Sequence, residues 1–184
     1  MATNKKIAHN TITQIIGKSI STLLGLIAIA MMTRYLGQEQ FGWYITTISF
    51  LQCVGILIDF GIIPLTSQML AEPHIDNEKL LQNLLSFRII TASIFLLCAP
   101  LVALLFPYPS EVKMAISITT LSFFATAINQ VFTGFYQFRL KMHIQAIAEV
   151  ISRIILVGGL TLLIAQKSSF LPIMAVITLS SIAF

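Results

Sequence analysis

Four of the apolar stretches in this sequence carry polar or charged side chains at helical spacing. Lys18 in an early stretch, and Glu149 with Arg153 in a later one, are ionisable groups that lie among aliphatic residues. A charge near the centre of a bilayer costs about 3 kcal/mol or more, so such groups face protein or water rather than lipid. We therefore expect these side chains to line a shared polar interior through which a charged molecule can pass.

The longest polar stripe includes two adjacent amides, Asn129 and Gln130. Helix packing alone rarely requires adjacent amides, and a hydrated passage is the better interpretation. The stripe consists of Ser122, Thr126, Asn129, Gln130, Thr133 and Gln137, which share one helical face. On these grounds the predicted substrate-binding residues are Lys18, Arg153, Asn129 and Gln130.

The same features also have structural interpretations, which the sequence leaves open. Gly17 and Gly25, with a serine midway between them, form the small-xxx-small pattern that packs membrane helices together. The side chain of Lys18 can extend back to the membrane interface. Glu149 and Arg153 are four residues apart on one helix, where they can form an ion pair and neutralise each other.

No residue pattern in the sequence points to catalysis, a metal ion or a cofactor. The sequence contains no H-E-x-x-H, G-x-S-x-G or phosphate-binding G-x-x-x-x-G-K-[ST] motif. Cys53 and Cys98 lie within apolar runs, where a thiol behaves as a small hydrophobic group. His9, His74 and His143 fall in polar tails or loops. We therefore expect a protein without catalytic residues, which does not bind ATP.

The composition indicates that these apolar stretches lie in a lipid bilayer rather than in water. Of the 184 residues, 57% are hydrophobic and 10% are charged, and the mean hydropathy is +0.90. Soluble domains carry about 25% charged residues. The net charge of +4 is divided between short loops rather than gathered on one surface, which argues against a nucleic-acid partner. The composition predicts an all-α integral membrane protein.

The hydropathy pattern predicts five complete transmembrane helices and the beginning of a sixth. The predicted spans are residues 11–33, 43–65, 84–106, 112–136, 144–165 and 170–184. The sixth stretch is shorter than the roughly 20 residues that a crossing needs. We therefore expect residues 1–184 to form one amino-terminal bundle that is truncated inside its sixth helix. The third span has few polar residues and is expected to face lipid.

Basic residues in the loops predict the orientation. Six of them fall on the side of the amino terminus and three on the opposite side, which places the amino terminus in the cytoplasm. The six are Lys5, Lys6, Lys79, Arg88, Arg139 and Lys141, and the three are Arg34, Lys113 and Lys167.

The turn at residues 34–44, R-Y-L-G-Q-E-Q-F-G-W-Y, resembles a known family. Together with residues 59–62 (D-F-G-I) and residues 129–155, it is similar to the amino-terminal part of polysaccharide flippases of the O-antigen and teichoic-acid type, within the multidrug/oligosaccharidyl-lipid/polysaccharide exporter superfamily. Gln38 departs from the proline that many relatives carry. In the turn itself, Gly37 can end a helix in a left-handed conformation, and Trp43 with Tyr44 can anchor the next helix at the interface.

The resemblance implies a location, a substrate and partners. Such proteins move a glycan linked to a polyprenyl pyrophosphate across the bacterial cytoplasmic membrane, through a cavity between two six-helix bundles. This chain would be the first bundle, and its partners would be the missing carboxy-terminal bundle, the membrane lipids and the lipid-linked glycan. Lys18 and Arg153 would attract the pyrophosphate.

Three other functions remain open. One is a non-transporting protein that only packs beside other membrane proteins, and the polar stripe at residues 122–137 argues against it. A drug/cation antiporter of the same superfamily would use an acidic residue as its cation site, for which Asp59 and Glu149 are the candidates. An integral-membrane enzyme of lipid or glycan metabolism would need clustered acidic or histidine residues at one interface, and the sequence contains no such cluster.

Overall fold

The protein is a bundle of α-helices in the computed structural model, which describes residues 2–59, 68–69, 77–139 and 141–184 and, among these, all side chains except those of 2–10, 59 and 77. All regular structure in these ranges is helical, as predicted. The helices are α1 (Ala2–Asp59), α2 (Asn77–Leu104), α3 (Ser110–Phe138), α4 (Met142–Ala165) and α5 (Phe170–Ile182). The predicted spans agree with these bounds within a few residues, except that α1 begins well before residue 11 and α2 well before residue 84. Residues 60–65, at the end of the second predicted span, lie outside the described residues.

Helix α1 contains two of the predicted spans because its backbone breaks at Gly37. This residue has φ 68° and ψ −176°, which is outside helical geometry. The positive φ is as predicted, but the extended ψ makes the residue a break between two arms rather than a standard helix cap. The first arm comprises residues 2–36 and the second arm residues 38–59. The uninterrupted apolar region, Thr11–Ile58, has 48 residues, far more than the roughly 20 that one crossing needs.

The two arms run in opposite directions. Met32 near the end of the first arm and Trp43 near the start of the second arm both pack around Phe170, at the start of α5. At the other end of the arms, Gly17 meets Ala146 near the start of α4, and Ile58 packs with Ala127 of α3. The chain therefore reverses direction around Gly37, and the arms occupy the positions of the first and second predicted spans.

Helix α2 packs one face against the second arm and α3 and leaves the opposite face exposed. Its buried face contains Ala92, Leu96, Ala99 and Ala103 at intervals of four, three and four residues. Large apolar residues on the other side, such as Leu97, are exposed. The expected lipid-facing surface of the third span is therefore present, but it covers only one side of the helix.

Helix α3 lies at the centre and contacts every other helix. Its buried residues Ala115 and Ile116 belong to two different apolar clusters, one with the first arm, α4 and α5 and one with the second arm and α2. Helices α4 and α5 approach closely, since a Cβ atom on Gly159 would lie 2.5 Å from Cγ1 of Val176. Small residues therefore allow the carboxy-terminal helices to pack against each other.

Four of the helices are long and apolar enough to cross a membrane, while α5, with 13 residues, is shorter. Their outward faces carry isoleucine, leucine and phenylalanine side chains that no described residue covers. A soluble monomer rarely exposes apolar surface so extensively. The fold is that of a protein embedded in lipid.

Candidate functional site

A cavity of about 640 Å³ lies between the first arm, α4 and α5. We call it the main cavity. The second arm contributes Tyr44 to its wall and α3 contributes Thr126. Its polar lining comprises Lys18, Ser21, Thr22, Tyr44, Thr126, Gln145, Glu149, Ser152, Arg153, Ser180 and Ser181.

The set of helices around this cavity differs from the prediction. Spans one, two, four and five were expected to share the polar interior, but the second and fourth contribute one residue each. Helix α5, the sixth predicted span, supplies Ser180 and Ser181 instead. Tyr44, expected as an interfacial anchor, lines the cavity. The reason is that α5 packs between α3 and α4, on the side where the polar face of α4 is directed.

Lys18 and Glu149 form an ion pair across the first arm and α4. The Nζ of Lys18 lies 2.9 Å from Oε1 of Glu149, and the Oγ of Ser21 donates a hydrogen bond of 2.9 Å to the same oxygen. The carboxylate side chain is 19% exposed and the ammonium side chain 68%. The pairing of Glu149 with Arg153 that their spacing allows is not formed, because the first arm presents a cation and a hydroxyl to the carboxylate.

Arg153 lines the main cavity without an ion-pair partner among the described residues. Its guanidinium group lies beside the backbone of Gly25, where a Cβ atom would be 3.8 Å from its Cζ. Because Glu149 is already paired with Lys18, the positive charge of Arg153 is not neutralised by the residues around the cavity. The cavity wall therefore carries two cations and one carboxylate, a net charge of +1.

The small-residue pattern of the first arm combines packing with polar contacts. A Cβ atom on Gly17 would lie 2.8 Å from Cβ of Ala146, closer than side chains tolerate. At Gly17 the packing interpretation is therefore correct. One turn further, Ser21 donates to Glu149 rather than serving as a spacer alone.

Asn129 and Gln130 do not join Lys18 and Arg153 in the main cavity. Gln130 accepts a hydrogen bond from Nη2 of Arg88 in α2. Asn129 faces a cavity of about 160 Å³ between α3 and α4, which we call the side chamber. The structure thus divides the predicted stripe on α3 among different neighbours, although Thr126 lines the main cavity as expected.

Sequence reasoning missed Arg88, which it assigned to a basic loop. Arg88 is 1% exposed and lies inside α2. Its Nε donates to the carbonyl oxygen of Ala127 at 2.9 Å, and its Nη1 donates to the carbonyl oxygen of Ile58. With Gln130, the guanidinium group therefore joins the second arm, α2 and α3. A signal was available in the sequence, because Arg88 lies inside the predicted third span, residues 84–106, rather than in the loop before it.

The described residues contain no group of three or more histidine, cysteine, aspartate or glutamate side chains able to hold a metal ion. Cys53 and Cys98 are free thiols at exposed positions. The side chains of His9, His74 and Asp59 lie outside the described residues. Glu149 is the antiporter candidate whose position is defined, and it lines the main cavity.

Comparison with known proteins identifies one match. The family model described as "polysaccharide biosynthesis protein" matches residues 7–184 of the chain. No curated protein and no solved structure matches it. The family match confirms the resemblance that the turn at residues 34–44 predicts.

Proposed function

Because the chain belongs to the polysaccharide biosynthesis protein family, we propose that it moves lipid-linked oligosaccharide or polysaccharide precursors across the cytoplasmic membrane by alternating access. In this proposal the protein is a transporter and makes or breaks no covalent bond. The substrate head group passes through the main cavity while its polyprenyl tail stays in lipid.

The observation that supports this proposal is the unneutralised charge of Arg153 inside the main cavity. A pyrophosphate group is strongly anionic, and an arginine forms paired hydrogen bonds with phosphate oxygens. The hydroxyl groups of Ser21, Ser152 and Ser181 on the same wall already donate their protons within the protein. Their oxygens can still accept hydrogen bonds from sugar hydroxyl groups. Lys18 contributes less attraction at rest, because Glu149 already neutralises it.

The proposal includes a topology with five complete crossings, the beginning of a sixth, and the amino terminus in the cytoplasm. The two arms of α1 supply the first two crossings. Arg88 is buried in α2 and does not belong to the count of basic residues near the membrane surfaces. Five basic residues near the helix ends or in loops therefore remain on the amino-terminal side, against three on the other. The amino-terminal side still carries more basic residues than the other side, so the proposed cytoplasmic amino terminus is unchanged. A second bundle facing the main cavity completes the proposed pathway.

The proposal is tested by replacing Arg153, the cation of the main cavity, in cells that express the protein from its own gene. We expect Arg153→Ala to lower surface polysaccharide about tenfold or more, the loss expected when one charge-assisted contact to phosphate is removed. Arg139→Ala is the matched control, because Arg139 is exposed at the end of α3 and does not line the main cavity. Immunoblotting of the membrane fraction measures the amount of protein. Normal polysaccharide in Arg153→Ala would contradict the proposal.

The role of Lys18 is tested by comparing a single variant with a double variant that also changes Glu149. Lys18→Ala alone leaves the carboxylate of Glu149 in the cavity without its cation, which adds repulsion toward an anionic substrate. In the double variant Lys18→Met with Glu149→Gln, both charges are removed and Arg153 is retained. We expect the single variant to transport less than the double variant. Equal activity of the two would show that the ion pair does not influence the substrate.

A cation antiporter is the second candidate, since Glu149 is a carboxylate in the wall of the main cavity. That function needs Glu149 to bind the coupling cation, in competition with Lys18. Efflux of a drug that depends on a sodium or proton gradient, and is abolished by Glu149→Gln, would favour the antiporter. Unchanged polysaccharide in the same variant would strengthen that conclusion.

A further inference from the structure

A separate cleft of about 270 Å³ lies between the second arm, α2 and α3. We call it the amide cleft, because the side-chain amides of Gln52 and Gln130 line it. The described residues around it all belong to these three segments, and α4 and α5 contribute none of them. Thr126 lines both the amide cleft and the main cavity. The two spaces therefore adjoin at this residue.

Gln52 places an amide inside the membrane-spanning part of the second arm. It lies about two helical turns from the nearer end of the arm, at residue 59. Its side chain is exposed and forms no hydrogen bond with any described residue. Hydrocarbon offers an amide no hydrogen-bond partner, so an exposed amide at this depth requires a polar one.

Arg88 fixes the orientation of the second amide. Its Nη2 donates to Oε1 of Gln130, and because a guanidinium group only donates, the amide oxygen must face it. The amide nitrogen of Gln130 is directed elsewhere and donates to no described residue. In the described part of the chain, no buried side-chain atom without a partner belongs to Gln130, so this nitrogen is accessible from the cleft. Arg88 itself is 1% exposed, and a ligand in the cleft therefore meets neutral groups.

The lining of the amide cleft suits a sugar ring. Gln130 supplies a donor and Gln52 supplies both a donor and an acceptor. The hydroxyl group of Thr126 donates to a backbone carbonyl oxygen of α3, so its oxygen remains free to accept. The ring of Phe123 lies beside Gly55, where a Cβ atom would be 3.7 Å from Cδ1, and the C–H face of a sugar can pack against such a ring. The volume corresponds to about nine water molecules, which gives room for one sugar ring with its hydroxyl groups.

We propose that the amide cleft binds a sugar ring of the transported lipid-linked glycan, and that Gln52 and Gln130 form hydrogen bonds with its hydroxyl groups. This inference rests on the proposed function and adds a division of roles. The main cavity binds the pyrophosphate beside Arg153, and the glycan extends past Thr126 into the amide cleft. The cleft therefore distinguishes a glycan-bearing lipid from the bare lipid carrier.

The test compares two ligands on the purified protein in lipid nanodiscs by native mass spectrometry. One is the lipid-linked glycan extracted from cells in which the gene is deleted, and the other is polyprenyl pyrophosphate without sugar. We expect Gln52→Met to weaken binding of the glycan-bearing lipid about five- to tenfold, as for loss of one hydrogen bond, and to leave binding of the bare lipid unchanged.

A second variant tests the other amide. Gln130→Glu keeps an oxygen for Arg88 and removes the N–H groups that are directed into the cleft. Because the guanidinium group of Arg88 neutralises the new carboxylate, we expect the same selective loss of glycan binding. Gln137→Met and Gln137→Glu are the matched controls, since Gln137 is exposed and lines neither the main cavity nor the amide cleft.

The outcomes separate the inference from the proposed function. If the unaltered protein binds neither lipid, the proposed function is contradicted, and the inference with it. If it binds both, a loss in Gln52→Met that is confined to the glycan-bearing lipid and absent from Gln137→Met supports the inference. Equal weakening of both lipids, or no weakening, overturns the inference and leaves the proposed function standing. If Gln52→Met does not fold, Gln130→Glu decides by the same criteria.

Discussion

Replacing Arg88 by methionine is expected to destabilise the protein strongly, although no sequence motif marks this residue. The guanidinium group is 1% exposed and donates hydrogen bonds to the carbonyl oxygens of Ile58 and Ala127 and to the amide oxygen of Gln130. Methionine preserves most of the volume and donates no hydrogen bond. The variant therefore isolates the polar contacts from the packing.

The magnitude follows from the acceptors that are left behind. A buried acceptor that loses its donor costs about 1 to 3 kcal/mol. The carbonyl of Ala127 lies inside α3 and keeps its helical hydrogen bond, so it loses least. Among the described acceptors, Gln130 and Ile58 lose most, and we expect a loss of about 2 to 5 kcal/mol in the free energy of unfolding.

The assay is reversible unfolding in mixed micelles of increasing SDS fraction, followed by circular dichroism. Arg139→Met serves as the control, since Arg139 is exposed, and its expected change is about 0.5 kcal/mol or less. Gln130→Leu completes a double-mutant cycle with Arg88→Met. The double variant Arg88→Met with Gln130→Leu should lose less than the sum of the single losses. Additive losses, or an Arg88→Met curve that matches the control, would refute the reasoning.

Two further predictions concern glycines. Gly17→Ala should lower the unfolding free energy by about 1 to 3 kcal/mol, because its Cβ would lie 2.8 Å from Cβ of Ala146. Adding Ala146→Gly to this variant should restore most of the loss. Gly158→Ala is the control and should not destabilise the protein, because open space surrounds Gly158. Gly37→Ala should cost about 1 to 3 kcal/mol, because φ 68° with ψ −176° is a backbone conformation that almost only glycine adopts. Gly42→Ala, with a negative φ, should be neutral. Thermal unfolding in detergent measures all five variants. Equal melting temperatures for Gly17→Ala and Gly158→Ala, or for Gly37→Ala and Gly42→Ala, would contradict the argument.

Much of the architecture could be predicted from the sequence, because the bilayer imposes it. The apolar runs had to be helices, since lipid offers no partner for the backbone. The end of the first span near Gly37 and the starts of α3, α4 and α5 follow from composition and turn residues. The family could also be predicted from the turn at residues 34–44.

The candidate site was predictable in part. Spacing identified Lys18 and Arg153 as residues of a polar face, and both line the main cavity. It could not reveal that α5 closes this cavity. Nor could it reveal that Asn129 belongs to a separate chamber, because the position of neighbouring helices around α3 depends on contacts between distant segments.

The sequence by itself determined that the chain is helical and apolar, and on which face of each helix the polar groups lie. Only the tertiary structure decided which faces meet. Glu149 pairs with Lys18, 131 residues away, rather than with Arg153 on its own helix. Gln130 binds Arg88 rather than facing the main cavity. The physical reason is that helical periodicity gives the direction of a side chain relative to its own axis, while its partner depends on how the helices are rotated and packed against one another.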